Sequence, residues 1–254
     1  MSTEADCKAV PERYRGVWQR TLLRTADGLE DRTTPVFWVQ TDVLHGDLRI
    51  PQAPAPDWRS RSDIVAFAGI TRVVGERCQW HRLLDYQPPG PADIGTMRFV
   101  DDDEVHETAL DGSYLEIWQR LPDSRGGHQA LWLVAEGRQA CLLRAGDWFL
   151  FAAERSGVLA GGGPLSEQLA RLDEAGRDAL LDCEFSFGRI QGGGSPWSIL
   201  LSSLPGRVGQ VLLEGCGEDL PSIGGARLAG LGAQPPVSGW TLAPLPSLAL
   251  EAGV

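Results

Sequence analysis

The sequence predicts an all-β protein built as two tandem antiparallel barrels, with one helix inserted in the second half. Three observations carry the prediction. Short β-type runs separated by Gly, Pro and Asp fill most of the chain, only one stretch has helical periodicity, and two segments of the first half recur in altered form further on.

The first dozen residues are polar and read as a flexible N-terminus. From Tyr14 onward the runs at 36–41, 47–51, 63–74, 77–86, 95–100 and 113–121 are rich in β-branched and aromatic residues, with the length and punctuation of an antiparallel meander. The second half continues with runs at 129–136, 139–145, 147–155, 183–190, 196–204, 209–215 and 238–245. The expected helix lies near 165–181, where Leu165, Leu169, Leu172, Gly176 and Ala179 fall at helical spacing with charges between them.

The recurrences set the domain plan. YRGVWQR at 14–20 returns as YLEIWQR at 114–120, so the chain is either duplicated or uses related strands in one closed sheet. WHRLLDYQP at 80–88 and WSILLSSLP at 197–205 share Trp, Leu-Leu and Pro at the same offsets, and a Gly-containing strand precedes each (AFAGI, EFSFG). A first barrel at 13–122 and a second, degenerate one at 123–254 follow, divided at the turn-forming LPDSRGG.

Composition excludes several classes. A net charge of −11 argues against nucleic acid, which requires a basic surface. No apolar run approaches the roughly 20 residues of a membrane span, and the N-terminus lacks a signal-peptide layout. Cys7, Cys78, Cys141, Cys183 and Cys216 lie far apart with no CxxC pair, which points to free thiols in a cytoplasmic protein. Lys8 is the single lysine and asparagine is absent, an Arg- and Gly-rich bias that suggests a bacterial source. No metal or other cofactor is implied, because His45, His81, His106 and His128 have no ligand spacing. The run DDDEVHE at 101–107 lacks the Gly and terminal Glu of a calcium loop, and the glycine runs at 161–163 and 192–194 lack the Lys-Ser/Thr of a phosphate loop.

Gly16-x-Trp18 near the start of the meander resembles the opening of lipocalins and other calycins. That resemblance implies a Trp closing one barrel end against a basic residue, for which Arg120 and Arg20 are the candidates. More widely, YRGVWQR, FWVQT followed by DLRIP, AFAG, the run at 80–88 and YLEIWQR resemble a family of tandem two-barrel, calycin-like proteins. The family includes uncharacterised bacterial members and a fungal protein that interacts with a casein kinase. The resemblance spans about residues 14–121 and implies paired barrels without an established activity.

Strand alternation then selects the candidate site. In 77–86, Trp80, Arg82, Leu84 and Tyr86 share one face, with His81, Leu83 and Asp85 on the other. Tyr114, Glu116, Trp118 and Arg120 share a face, Trp38 pairs with Gln40, and Asp47 and Arg49 oppose Leu48 and Ile50. With Trp18 and Trp118 inward, the first barrel is lined by Trp38, Gln40, Arg49, Trp80, Arg82, Glu116 and Arg120. The second half has Ile199 where the first has Arg82, and Ser202 where it has Asp85, so the charges are specific to the first barrel.

Arg82 has two readings here: it faces solvent or pairs with Glu116 as structure, or it contacts a ligand. Two inward arginines against the single Glu116 would leave one cation for an anionic group. Three functions follow. The first is binding of a small amphipathic or anionic molecule in barrel one. The second is a lipocalin-like isomerase, cyclase or hydrolase using Glu116 or Asp85 as acid or base. The third is an interaction module with filled barrels. The second barrel serves as support or as a homodimer surface.

Overall fold

In the computed structural model, which describes residues 9–50, 57–160, 162–192, 196–214 and 239–248, the Trp-Gln-Arg parts of the repeated heptapeptide pair with each other. They lie in β1 (Gly16–Thr25) and β9 (Tyr114–Arg120), with Gln19 opposite Gln119, Trp18 opposite Arg120 and Arg20 opposite Trp118. Between them run β2 (Glu30–Asp31), β3 (Val36–Gln40), β4 (Leu44–Arg49), β5 (Val65–Val74), β6 (Arg77–Asp85), β7 (Asp93–Phe99) and β8 (Glu104–Ala109). β2 is a two-residue extension paired to the end of β1. The other eight form an antiparallel meander that the β1–β9 pairing closes into a barrel. The heptapeptide therefore recurs at the two strands that meet at the seam.

One end of this barrel is plugged. A 3-10 turn (Glu12–Tyr14) leads into β1, and the Trp18 indole donates to Tyr14 O at 2.7 Å. The Arg120 guanidinium carbon lies 4.0 Å from the Trp18 ring centroid, a planar cation on an indole face. Arg120 also donates to the carbonyls of Arg13, Arg15 and Asp102. Gly16 sits at φ +131°, and a Cβ there would come within 2.6 Å of Arg120 Nη1, so the plug needs glycine at this point.

Strict alternation fails in β6. Gly69 faces Arg82 but Ala68 faces Leu84, so Leu83 is an extra, bulged residue. The bulge turns Asp85 inward to face Phe67, while Leu84 and Tyr86 turn outward, correcting the single face expected for Trp80, Arg82, Leu84 and Tyr86. A Cβ on Gly69 would overlap the His81 carbonyl, which is why the strand opposite the bulge carries glycine.

The second half repeats this device. β10 (His128–Ala135), β11 (Arg138–Ala145), β12 (Trp148–Ala153), β13 (Glu184–Ile190), β14 (Trp197–Ser202) and β15 (Thr241–Ala243) form a curled six-stranded sheet in the order β14-β13-β12-β11-β10-β15. Gly188 faces Ile199, Phe187 faces Leu201 and Ser186 faces Ser202, so Leu200 is bulged as Leu83 is. A Cβ on Gly188 would overlap the Ser198 carbonyl. Trp80 faces Thr71 and Trp197 faces Ile190, each two residues past its glycine, so the two strand pairs share one register.

Helices are few: α1 (Trp58–Ser62), α2 (Leu165–Ala170) and α3 (Glu174–Leu181). The single helix expected near 165–181 is two, because the Asp173 carboxylate accepts from Gly176 N at 2.9 Å and starts a new helix.

The two sheets share a core. Barrel residues Val39, Leu44, Leu48, Ala66, Ala68 and Ile70 point outward against Cys141, Leu143, Leu150, Phe185 and Phe187 of the second sheet. Phe37 stacks on Phe187 at 4.5 Å, and a Cβ on Gly46 would lie 2.6 Å from Leu150 Cδ2. Arg155 ties the halves together, donating to the carbonyls of Asp85 and Tyr86. The other face of the second sheet closes over its own core of Leu133, Leu142, Phe149, Phe151, Trp197 and Ile199, with the Arg207–Glu184 pair buried beside it.

Candidate functional site: the interior of the first barrel

Four tryptophans fill the middle of the barrel. Trp38 stacks on Trp18 at 6.0 Å between ring centroids and meets Trp80 and Trp118 edge-on at 5.7 and 5.9 Å. The Trp38 indole donates to Gln40 Oε1 at 3.2 Å, and the Gln40 amide donates to the carbonyls of Thr41 and Leu44. Thr71 Oγ1 joins Gln40 to His45 Nδ1, and burial pushes the His45 pKa down to about 3, so its ring is neutral.

Toward the other end the strands present charges. Arg20 reaches Glu116 at 2.7 Å and Asp31 at 2.8 Å. Arg49 reaches Asp47 at 2.8 Å and Glu116 at 3.3 Å. Arg82 reaches Asp93 at 2.7 Å and Asp85 at 3.3 Å, with its guanidinium carbon 3.7 Å from the Phe67 ring centroid. Burial opposes the charge on Arg49, but Asp47 and Glu116 outweigh it and hold its pKa well above the usual value. Burial raises Asp47 and Asp85, with Arg49 and Arg82 respectively pulling back.

Glu107 is a further buried carboxyl of the group. It faces Glu116 across β8 and β9 and accepts from Tyr114 Oη at 2.7 Å and Trp118 Nε1 at 3.2 Å. Burial, reinforced by the charge of Glu116, pushes its pKa up to about 8.

The space left over is small. Trp38, Asp47, Arg49, Phe67, Trp80, Asp93, Glu107 and Trp118 line a cavity of about 10 Å³, which is room for about one water. Among the described residues no group of three His, Cys, Asp or Glu side chains is placed to hold a metal ion.

The structure thus gathers Trp38, Arg49 and Trp80 on this cavity, with Arg82 and Glu116 beside it. Gln40 is spent on the polar layer below, and Arg120 sits outside at the plug. The expected spare cation is not there. Arg20, Arg49 and Arg82 face Asp31, Asp47, Asp85, Asp93, Glu107 and Glu116, so carboxyls are in excess. Arg82 pairs with two aspartates rather than with Glu116. Sequence reasoning missed Glu107 and Asp93. Glu107 alternates with Val105 and Ala109 in a strand that reads as an acidic run, and Asp93 with Gly95 and Met97 just before a strand expected to begin at 95.

The fold has parallels among solved structures. An uncharacterized protein, YLR301w, from Saccharomyces cerevisiae matches 91% of this chain and 99% of its own with a TM-score of 0.59 at 16% identity, a likeness that shows a shared fold over both sheets. A lipocalin-like protein from Bacteroides uniformis matches 43% of this chain and 99% of its own (TM-score 0.34, 12% identity). An uncharacterized protein from Bacteroides eggerthii matches 42% and 99% (TM-score 0.32, 7% identity). No family model matches the chain, and no curated protein matches it by sequence. No helix among the described residues is long and apolar enough to cross a membrane.

Proposed function

We propose that this chain is a non-catalytic binding module in which the first barrel is a filled core and recognition takes place on the outer surface. The observation that carries the reading is the cavity of about 10 Å³. Small-molecule sites usually offer roughly 300–1,000 Å³. Each interior arginine already has carboxylate partners, and the two carboxylates first considered as acid or base, Glu116 and Asp85, are held by those arginines. The domain plan that goes with this reading divides the chain near residue 123, with the second sheet packed against the first barrel as support. A reducing cytoplasm suits the buried thiols of Cys78, Cys141 and Cys183.

A second reading keeps a ligand inside the barrel, and the lining favours a cation over the anion first expected. Trp38, Trp80, Trp118 and Phe67 form an aromatic box with Asp47, Asp93 and Glu107 around it. Arg82 over Phe67 occupies the place such a cation would take. Native mass spectrometry of the purified chain, with tryptophan fluorescence titrations against palmitate and choline, separates the two. The filled-core reading expects the mass of the polypeptide alone and no saturable fluorescence change. A stoichiometric adduct, or saturable quenching by either probe, restores an interior site.

A further inference from the structure

The plugged end of the first barrel carries a concavity of about 680 Å³, the size of a small-molecule site although it lies outside the barrel. Four arginines meet there: Arg13 on the 3-10 turn, Arg15 just after it, Arg120 at the end of β9 and Arg125 in the connection to β10. His128 at the start of β10 lines it as well, and Glu12 and Asp102 are the acidic residues of the lining. In a chain of net charge −11 this is a local reversal of sign.

The arginines are not equally occupied. Arg120 gives its donors to backbone carbonyls and shares Asp103 with Arg125, at 3.3 and 2.5 Å, and Arg125 also meets the Asp102 carboxylate at 3.7 Å and its carbonyl at 3.0 Å. Arg13 and Arg15 have no ion-pair partner among the described residues. Arg13 is steadied on the Phe99 face, 4.6 Å from the ring centroid, and Arg15 is anchored by a single bond from Nε to Val10 O at 2.9 Å. Arg15 keeps its terminal nitrogens for another acceptor, and Arg13 also lies 5.8 Å from the Tyr14 ring centroid. His128 Nε2 has no hydrogen-bond partner either. After burial, Arg125 opposes the charge on Arg120 and Arg15 that on His128, while Asp102 and Asp103 support the first and Asp42 and Glu12 the second.

We propose that this concavity binds a small molecule through a phosphate group, with Arg13 and Arg15 as its principal ligands and Arg125 closing over it. Guanidinium forks match phosphate oxygens bidentately, which a lone surface arginine does not exploit. The run Asp101, Asp102, Asp103 and Glu104 bounds the arginines on one side, so the positive area is small and a compact phosphate suits it better than an extended nucleic acid. The inference deepens the external-recognition reading by naming the ligand class of one outer surface.

The test is isothermal titration of the full chain with inorganic pyrophosphate as the probe. Saturable one-to-one binding is expected, weakened tenfold or more in Arg13→Gln and in Arg15→Gln and unchanged in Arg32→Gln, which lies elsewhere on the surface. Arg125→Gln, at an exposed loop position, gives the same weakening should either of the first two variants melt below the wild type. Absence of saturable binding, or binding insensitive to these three substitutions, overturns the proposal. Such a failure leaves the filled-core reading standing, because that reading is decided by tryptophan fluorescence inside the barrel.

Discussion

Replacing Arg82 by methionine separates a structural arginine from one held ready for a ligand. Arg82 lies 2.7 Å from Asp93 and 3.3 Å from Asp85, whose side chains are 17% and 14% exposed, and it covers the Phe67 ring. Removing one partner of a fully buried pair costs about 3–5 kcal/mol. Arg82 itself is 27% exposed, and methionine retains part of the contact with Phe67, so about 2 kcal/mol is expected at neutral pH. The defect depends on pH. Burial raises the Asp85 pKa in the folded chain while Arg82 restrains the rise, and without the arginine it climbs further. The folded state then holds a proton that the unfolded state has lost, so stability falls as pH rises above the ordinary aspartate value. Urea denaturation at pH 4.5 and 7.5 should show a small loss at the lower pH and the full loss at the higher, with Asp93→Asn partly restoring stability at pH 7.5. An Arg82→Met protein as stable as wild type at pH 7.5 refutes the argument and returns Arg82 to the role of a spare cation.

Glu107→Gln should stabilise the protein at pH 8 and leave it little changed at pH 5. The wild-type carboxyl titrates near 8 in the folded state against an ordinary 4.5, so wild-type stability falls between those values while that of the variant does not; urea midpoints across that range check it. Gly69→Ala and Gly188→Ala should each cost about 3 kcal/mol, the upper end of the overpacking range, since a Cβ at either meets a backbone carbonyl of the bulged strand. Gly90→Ala, with open space around it, should be near neutral, and thermal melts compare the three. Gly46→Val should lower the melting temperature by forcing Leu150 and Leu143 away from the barrel wall. An unchanged melt would mean that the two sheets do not pack as described.

Much of the architecture was legible because it rests on periodicity. Alternating runs gave the strands, and the doubled WQR marked the two seam strands, although a single sequence did not say that they pair with each other. The faces of β3, β4 and β9 followed from alternation, which placed Trp38, Arg49 and Glu116 inward. Alternation failed at β6, where one bulged residue inverts every later side chain, and its only trace in sequence is Gly69 on the opposite strand. Charge pairing was less legible. Asp93 and Glu107 belong to strands that read as a Pro-Ala-Asp turn and an acidic run, and their partners Arg82, Tyr114 and Trp118 lie on neighbouring strands. Without them the barrel interior looked cationic, and with them it is acidic.

The central claim is that the first barrel is a packed core and not a cavity, and hydrogen exchange at the tryptophan indoles tests it most directly. Trp38 and Trp118 line the residual space, and their N–H groups are held by Gln40 and Glu107. In nitrogen-15 spectra of the intact chain after transfer to heavy water, both indole signals should persist for hours, exchanging only when the barrel opens. Loss of both signals within seconds, in a chain otherwise folded, would show solvent moving freely through the barrel and would contradict the account.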